Sequence, residues 1–269
     1  MKQHIGLIGP GNMGLAIING LINSQMAAAN QITIFGRHPE QLQTLSQTMG
    51  IKAAESEVQA AQDADILFLA VKPYVILPVL EKIKAILSPS TLIISVAAGI
   101  TIADMETVLG DAHKIIRVMP NTPVFVNEGM CSLTENRNVT ADELNIISTM
   151  FNSLGSTEVV PESLIHAVVG ASGSAPAYVF MFIEAVADAA VLSGMPRAKA
   201  YKFAAQAVLG SAKMVLESGK HPGELKDMVC SPGGTTIEAV KIFEEKAFRG
   251  AIIDAVTACI NKSKQLSGE

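Results

Sequence analysis

Charge is scarce in this 269-residue chain: only 17% of residues are charged, the net charge is −5, and acids and bases are interspersed. No basic stripe exists to displace counterions from a polyphosphate, which excludes nucleic-acid binding. Cysteine is sparse too. Cys131, Cys230 and Cys259 are odd in number, far apart and without a C-x-x-C pair, so a disulfide framework is excluded and a reducing compartment, by default the cytoplasm, is expected. The opening residues, MKQHIGLIGPGNMG, contain no cleavable apolar segment, so no export is expected. The histidines, His4, His38, His113, His166 and His221, show no metal-like pairing, and no metal is expected. The longest apolar run, Ala175 to Leu192, is interrupted by Glu184 and Asp188, four residues apart on one helical face. It reads as a buried helix of a soluble protein and not as a membrane span.

What is present is apolar and regular. Hydrophobic residues make up 49% of the chain, enough for two domains that each bury a core. In the first 160 residues, HIGLIG, QITIF, ADILFLAV, TLIISVAA and HKIIRVM read as strands. MGLAIINGLI, PEQLQTLSQTM, EVQAAQDA and VILPVLEKIKAIL read as the helices between them. That alternation implies right-handed βαβ crossovers and an α/β, doubly wound, mostly parallel sheet of Rossmann type. Beyond Pro161 every long segment has helical period, so residues 161–269 are expected to form an all-α domain. Its helices are apolar around much of their circumference, more than their own chain can cover, and a homodimer through them is expected, with larger assemblies of dimers left open.

Gly9, Gly11 and Gly14 have G-x-G-x-x-G spacing directly after a strand and before a helix. The first glycine permits the tight turn, the second the approach of a pyrophosphate, and the third close helix packing. Ile8, Pro10, Asn12 and Met13 complete that cofactor loop. An NAD site usually ends the second strand with an acid, but here Gly36 and Arg37 stand there. A guanidinium suits a 2′-phosphate, so NADPH is preferred and NADH is the alternative. Two further loops close carboxyl ends of strands: Ala70, Val71, Lys72 and Pro73, then Ala97, Ala98 and Gly99. Their small residues leave room for a nicotinamide. Lys72 alone reads equally as a surface lysine.

The stretches GLIGPGNMG, FLAVKP, ISVAAGIT, RVMPNTP, GASGSAPAY and HPGELKDMVCSPGGTTIEAV occur in this order. Together they make the chain resemble the pyrroline-5-carboxylate reductases, NAD(P)H-dependent enzymes of L-proline synthesis, across nearly its whole length. The resemblance implies a Rossmann-type first domain, residues 1–160, and a helical domain, residues 161–269, interlocked with a partner subunit. It also implies an active site between the two domains, where 1-pyrroline-5-carboxylate is reduced by hydride transfer. By residue-wise matching it assigns substrate contact to Gly234, Thr235, Thr236 and Glu162, with the Thr236 hydroxyl facing the ring nitrogen, and it places Asn121 and Thr122 near the nicotinamide.

The residues themselves are compatible with that assignment. Thr235 and Glu238 have capping-box spacing, so a helix is expected to begin there with the amides of Gly234, Thr235 and Thr236 free for a small carboxylate. The plainer reading is an ordinary capped helix after a turn. Cys230 lacks an apparent His or Asn partner and reads as a small buried side chain, with Lys226 and Asp227 as a solvated pair. Two other readings are weighed: a β-hydroxyacid dehydrogenase with Lys199, Lys202 or Lys213 as the catalytic lysine, against which the SPGGTT stretch argues, or an imine reductase of the same architecture; and a regulator that binds NADP without turnover.

Overall fold

Runs of branched apolar residues too short for helices build the sheet of the first unit. The computed structural model describes residues 3–267. Strand β1 (Ile5–Ile8) leads into α1 (Asn12–Asn23), β2 (Ile32–Phe35) into α2 (Pro39–Met49), and the two-residue β3 (Lys52–Ala53) into α3 (Glu57–Gln62). The alternation continues through β4 (Ile66–Leu69), α4 (Pro73–Ile83), β5 (Leu92–Ser95), α5 (Ile102–Leu109) and β6 (Lys114–Pro120). Then come β7 (Gly129–Glu135), α6 (Ala141–Asn152) and β8 (Gly155–Val159). Helix α2 keeps the limits expected from its sequence, because Pro39 opens it and Gly50, at φ +71°, closes it.

The eight strands form one sheet in the order β3-β2-β1-β4-β5-β6-β7-β8. All pairings are parallel except β6 with β7. Alternate side chains feed separate cores on the two faces. Ile5, Leu7, Phe68, Ile94 and Ile116 pack with Ile17, Leu21, Ile147 and Phe151. Ile8, Leu67, Leu69, Ile93 and Ile115 pack with Ala60, Ile76, Leu80 and Met105. Coverage on both faces explains why β1, β4 and β5 are apolar at nearly every position.

After β8 the described residues form no further strand. A short helix α7 (Ile165–Val168) continues as a π turn over Val169–Gly173 and is followed by α8 (Ala175–Leu192), α9 (Arg197–Ser218), α10 (Pro222–Val229), α11 (Thr235–Glu245) and α12 (Phe248–Leu266). The run from Thr236 to Leu266, continuous in helical period, is two helices: Lys246 ends the first and Ala247 turns to φ +54°. Pro196 precedes α9 and Gly219, at φ +65°, ends it.

Among the described residues, those up to Gly173 and from Ile260 onward make one compact unit, and Ser174–Cys259 make the other. The border therefore lies beyond the change of pattern at Pro161, because α7 and the π turn stay with the sheet.

One correction concerns α8. It was expected to be buried, but only Ala187 is. Phe180 and Met181 on α8 are 60% and 69% exposed, and Phe203 and Leu216 on α9 are 67% and 84% exposed. Helices α8 and α9 pack on each other, and the residues they bury, Ala187, Ala200 and Ala204, are small. The larger side chains point away from their own chain. The stretch Glu162–Leu192 is long and apolar enough by composition to cross a membrane, although Glu184 and Asp188 lie within it.

Candidate active site

The three loop glycines each meet a different physical demand. Gly9 has φ +101°, and a Cβ there would sit 2.7 Å from the Ala70 carbonyl. Gly14 lies against the strand so closely that a Cβ would be 2.5 Å from the Gly9 carbonyl oxygen. Gly11 meets nothing within 4 Å. The turn, the tight packing and the open approach thus fall in the expected order.

Gly11 is the N-cap of α1, without a side-chain cap or an acid in the first turn. The amides of Asn12, Met13 and Gly14 therefore end the helix without intrahelical acceptors, a setting that suits a phosphate. The loop is held from outside: Gly9 N–H donates to Phe35 O at 2.8 Å, and Gln41 Nε2 donates to the Pro10 carbonyl at 3.2 Å. Gln41 was not singled out by sequence reasoning, since a glutamine on an amphipathic helix carries no signal.

At the end of β2, a Cβ on Gly36 would strike Pro10 at 2.8 Å, so only glycine lets the two loops approach. Arg37 and His38 are exposed. Arg37 makes no ion pair among the described residues, and its guanidinium is available to a phosphate. Lys72 is exposed at the N-cap of α4, with Pro73 beginning the helix. Ala97 is buried, Ala98 is exposed, and Gly99 turns at φ +79°. These residues, with Ile8 at the end of β1, follow the carboxyl ends of neighbouring parallel strands, where ligands of such sheets bind. The open face at Gly11, the uncapped α1 and the unpaired Arg37 fit a phosphorylated dinucleotide.

Asn121 is committed to the protein. Its Oδ1 accepts from Met130 N–H at 2.9 Å, and its Nδ2 donates to the carbonyl and the hydroxyl of Ser172, each at 3.3 Å. It thereby braces the MPNTP turn against the π turn of the GASGS segment. Glu162 is equally engaged: its Oε1 accepts from Ile102 N–H and from Arg117 Nη1, both at 2.9 Å. Arg117 was missed in the sequence. A cation in the middle of the strand HKIIRVM, between Ile116 and Val118, was the available signal, because a buried charge requires a partner.

In the second unit, α11 begins where expected but with a different cap. Gly234 is the N-cap, Thr235 is the first helical residue, and no side chain caps the end. The Thr235 and Glu238 box is not formed, because Thr235 lies one position inside the helix. The Gly234 amide, expected to be free, donates to Ser231 O at 3.0 Å, closing a turn in which Gly233 has φ +68°. The amides at the start of α11 are those of Thr235, Thr236 and Ile237. Thr235 is exposed and Thr236 half-buried. A Cβ on Gly234 would lie 2.4 Å from Ser231 Oγ, so any larger residue there would have to displace that hydroxyl.

Cys230 is half-buried at the end of α10, not fully buried, and Lys226 pairs with Asp227 at 2.6 Å. Neighbouring Asp227 raises the Lys226 pKa through its hydrogen bond. Burial pushes the Cys131 thiol up to about 12, which leaves it without thiolate at neutral pH. His166 is buried and meets Ser263 Oγ through Nδ1 at 2.9 Å.

Comparison with known proteins extends these observations. A family model described as pyrroline-5-carboxylate reductase dimerisation matches residues 162–266, and one described as NADP oxidoreductase, coenzyme F420-dependent, matches residues 4–99. The pyrroline-5-carboxylate reductase of Escherichia coli (strain K12) is 56% identical over 267 residues, 99% of each chain. A pyrroline-5-carboxylate reductase structure from Coxiella burnetii superposes with TM-score 0.93 at 37% identity, covering 99% of both chains. A pyrroline carboxylate reductase structure from Plasmodium falciparum with NADP bound gives TM-score 0.89 at 32% identity, covering 99% of this chain and 98% of that one. With identity of this degree along the whole of both domains, the chain belongs to the pyrroline-5-carboxylate reductase family.

Proposed function

We infer that the protein reduces 1-pyrroline-5-carboxylate to L-proline, the last step of proline biosynthesis, with NADPH preferred over NADH. One observation carries the reading: the uncapped start of α11 after the Ser231–Gly234 turn, within a chain of this family. When bound, the reduced nicotinamide supplies the hydride that adds to the C=N carbon of the ring.

The chain's own residues bind and orient. Gly9, Gly11 and Gly14, with the amides of Asn12 to Gly14, receive the pyrophosphate, and Ile8, Pro10 and Met13 frame it. Gly36 and Arg37 receive the 2′-phosphate, and an unpaired guanidinium at that point supports NADPH. Ala70 to Pro73 and Ala97 to Gly99 line the remainder, with Asn121 shaping the loop beside them. Gly234 makes the turn that presents the amides of Thr235, Thr236 and Ile237 to the substrate carboxylate. The Thr236 hydroxyl faces the ring nitrogen and favours the protonated ring, which accepts hydride more readily. Orientation supplies most of the catalysis, and no general-base histidine is required.

We place the assembly as a homodimer, or a larger set of dimers, formed through the exposed faces of α8 and α9. The family model of dimerisation over this region supports that placement better than a membrane does, since Glu184 and Asp188 lie in α8. Three free cysteines are compatible with the cytoplasm.

The test is NADPH or NADH oxidation on addition of 1-pyrroline-5-carboxylate. Wild type should oxidise NADPH faster, Thr236→Ala should lose about 10- to 100-fold in kcat, and Arg37→Ala should raise the KM for NADPH about tenfold while leaving that for NADH nearly unchanged. Cofactor binding without oxidation would overturn the reading in favour of a sensor.

A further inference from the structure

Glu162 matches a substrate-contacting acid only by resemblance, and its geometry points elsewhere. We propose that Glu162 and Arg117 act as one positioning pair for the loop Ala97–Thr101, which faces the nicotinamide end of the cofactor, and that neither touches the substrate. The proposal rests on the functional reading above.

A single oxygen joins two remote parts of the sheet unit. Glu162 Oε1 takes the amide of Ile102, the first residue of α5, and the guanidinium of Arg117 in the middle of β6. The loop leaves β5 at Ser95, which pairs in register with Arg117, and ends at that same Ile102. It is held chiefly from its two ends. On one side Val96 N–H donates to Leu69 O at 3.1 Å, and Ala97 N–H makes a longer bond to Ser95 Oγ at 3.4 Å. On the other, Thr101 and Asp104 form a reciprocal capping box, and Glu162 adds the third tie. Between these ends Ala98 is exposed and Gly99 turns at φ +79°.

The burial of the pair separates positioning from contact. The Arg117 side chain is 3% exposed and that of Glu162 is 32% exposed. Arg117 Nε is buried without a hydrogen-bond partner, so the guanidinium relies on Glu162 for its charge. A cation so enclosed does not meet a substrate. Its effect passes through Glu162 to the α5 N-terminus and from there to the loop.

The experiment compares wild type, Glu162→Ala, Glu162→Gln and the double variant Glu162→Ala/Arg117→Met. Measurements are kcat, KM for 1-pyrroline-5-carboxylate, NADPH affinity, thermal midpoint, and amide exchange over residues 97–109 in the ligand-free protein. Glu162→Ala should lose about 10- to 100-fold in kcat with the substrate KM within about twofold, and exchange over 97–109 should quicken by about tenfold while α1 is unaffected. Glu162→Gln keeps an acceptor for Ile102 and should retain most of kcat. The double variant removes the stranded cation, so its thermal midpoint should return toward wild type while kcat stays low.

Three results would each overturn the proposal: a tenfold rise in substrate KM with kcat kept, which would make Glu162 a substrate contact; full kcat in the double variant, which would make the pair a matter of stability alone; or unchanged exchange. If wild type itself fails to oxidise NADPH with this substrate, the functional reading falls separately, and exchange over 97–109 alone decides whether the pair holds the loop.

Discussion

Residues of one type carry opposite consequences in the phosphate loop. Gly11 has an ordinary φ of −79° and open space where a Cβ would be. Gly11→Ala meets no clash and should cost at most about 1 kcal/mol, the penalty of alanine at an N-cap, while weakening NADPH binding about tenfold or more by intruding on the pyrophosphate. Gly14→Ala places a methyl 2.5 Å from the Gly9 carbonyl. It should cost about 1–3 kcal/mol in denaturant titration even without cofactor. Equal losses of stability in the two variants would refute this division of roles. The glycine spacing made the loop legible because each glycine answers a local steric demand. The duties of Glu162 and Asn121 were not legible: their partners Ile102, Arg117, Met130 and Ser172 are mostly remote in sequence, and only the fold brings them together.

At the scale of elements, the T-x-x-D/E signature was reliable only where the threonine lies outside the helix. Thr101 with Asp104 starts α5 and Thr140 with Glu143 starts α6, both as reciprocal boxes. Thr235 with Glu238 forms none, because Gly234 already occupies the cap. The α6 box also ties helix to sheet, since Lys114 at the start of β6 pairs with Glu143 at 2.5 Å. Burial raises the Glu143 pKa, but the hydrogen bonds from Lys114 and Thr140 outweigh it and hold the carboxyl below its ordinary 4.5. A depressed folded value stabilises above the unfolded value and is lost as pH falls through the folded one. Glu143→Gln should cost about 1 kcal/mol or less at about pH 7, and the difference from wild type should shrink in urea titrations as pH falls through the folded value. A difference that persists in acid would remove the carboxylate from the account. Strands β7 and β8 escaped sequence reading because GMCSLTE and GSTEV begin with glycine and mix polar with apolar residues. The break between α11 and α12 escaped it because no Pro or Gly marks Ala247.

For the whole molecule, the dimer we propose forms through the exposed faces of α8 and α9. Phe203→Asp together with Leu216→Asp should reduce the mass in light scattering toward that of one 28.3 kDa chain. A wild type that runs as a single chain at micromolar concentration would refute the dimer. The excess of apolar surface was readable from composition and period. What covers it was not, since a helix buried by its own chain and one buried by a second copy have the same pattern. The contact border at Gly173 also differs from the change of pattern at Pro161, because the π turn bonded to Asn121 belongs to the sheet unit.

The return of Ile260 and the residues after it to the sheet unit has a consequence in time. Synthesis runs from the amino end, yet His166 finds Ser263, and the Gly99 turn lies beside Leu266, only when the last helix has been made. The nucleotide-binding unit cannot finish packing on the ribosome ahead of the helical one. A chain ending at Cys259 should bind NADPH weakly, and adding residues 260–269 back as a separate peptide should restore part of that affinity; unimpaired binding by the truncated chain would show that the order of synthesis leaves no mark on this fold.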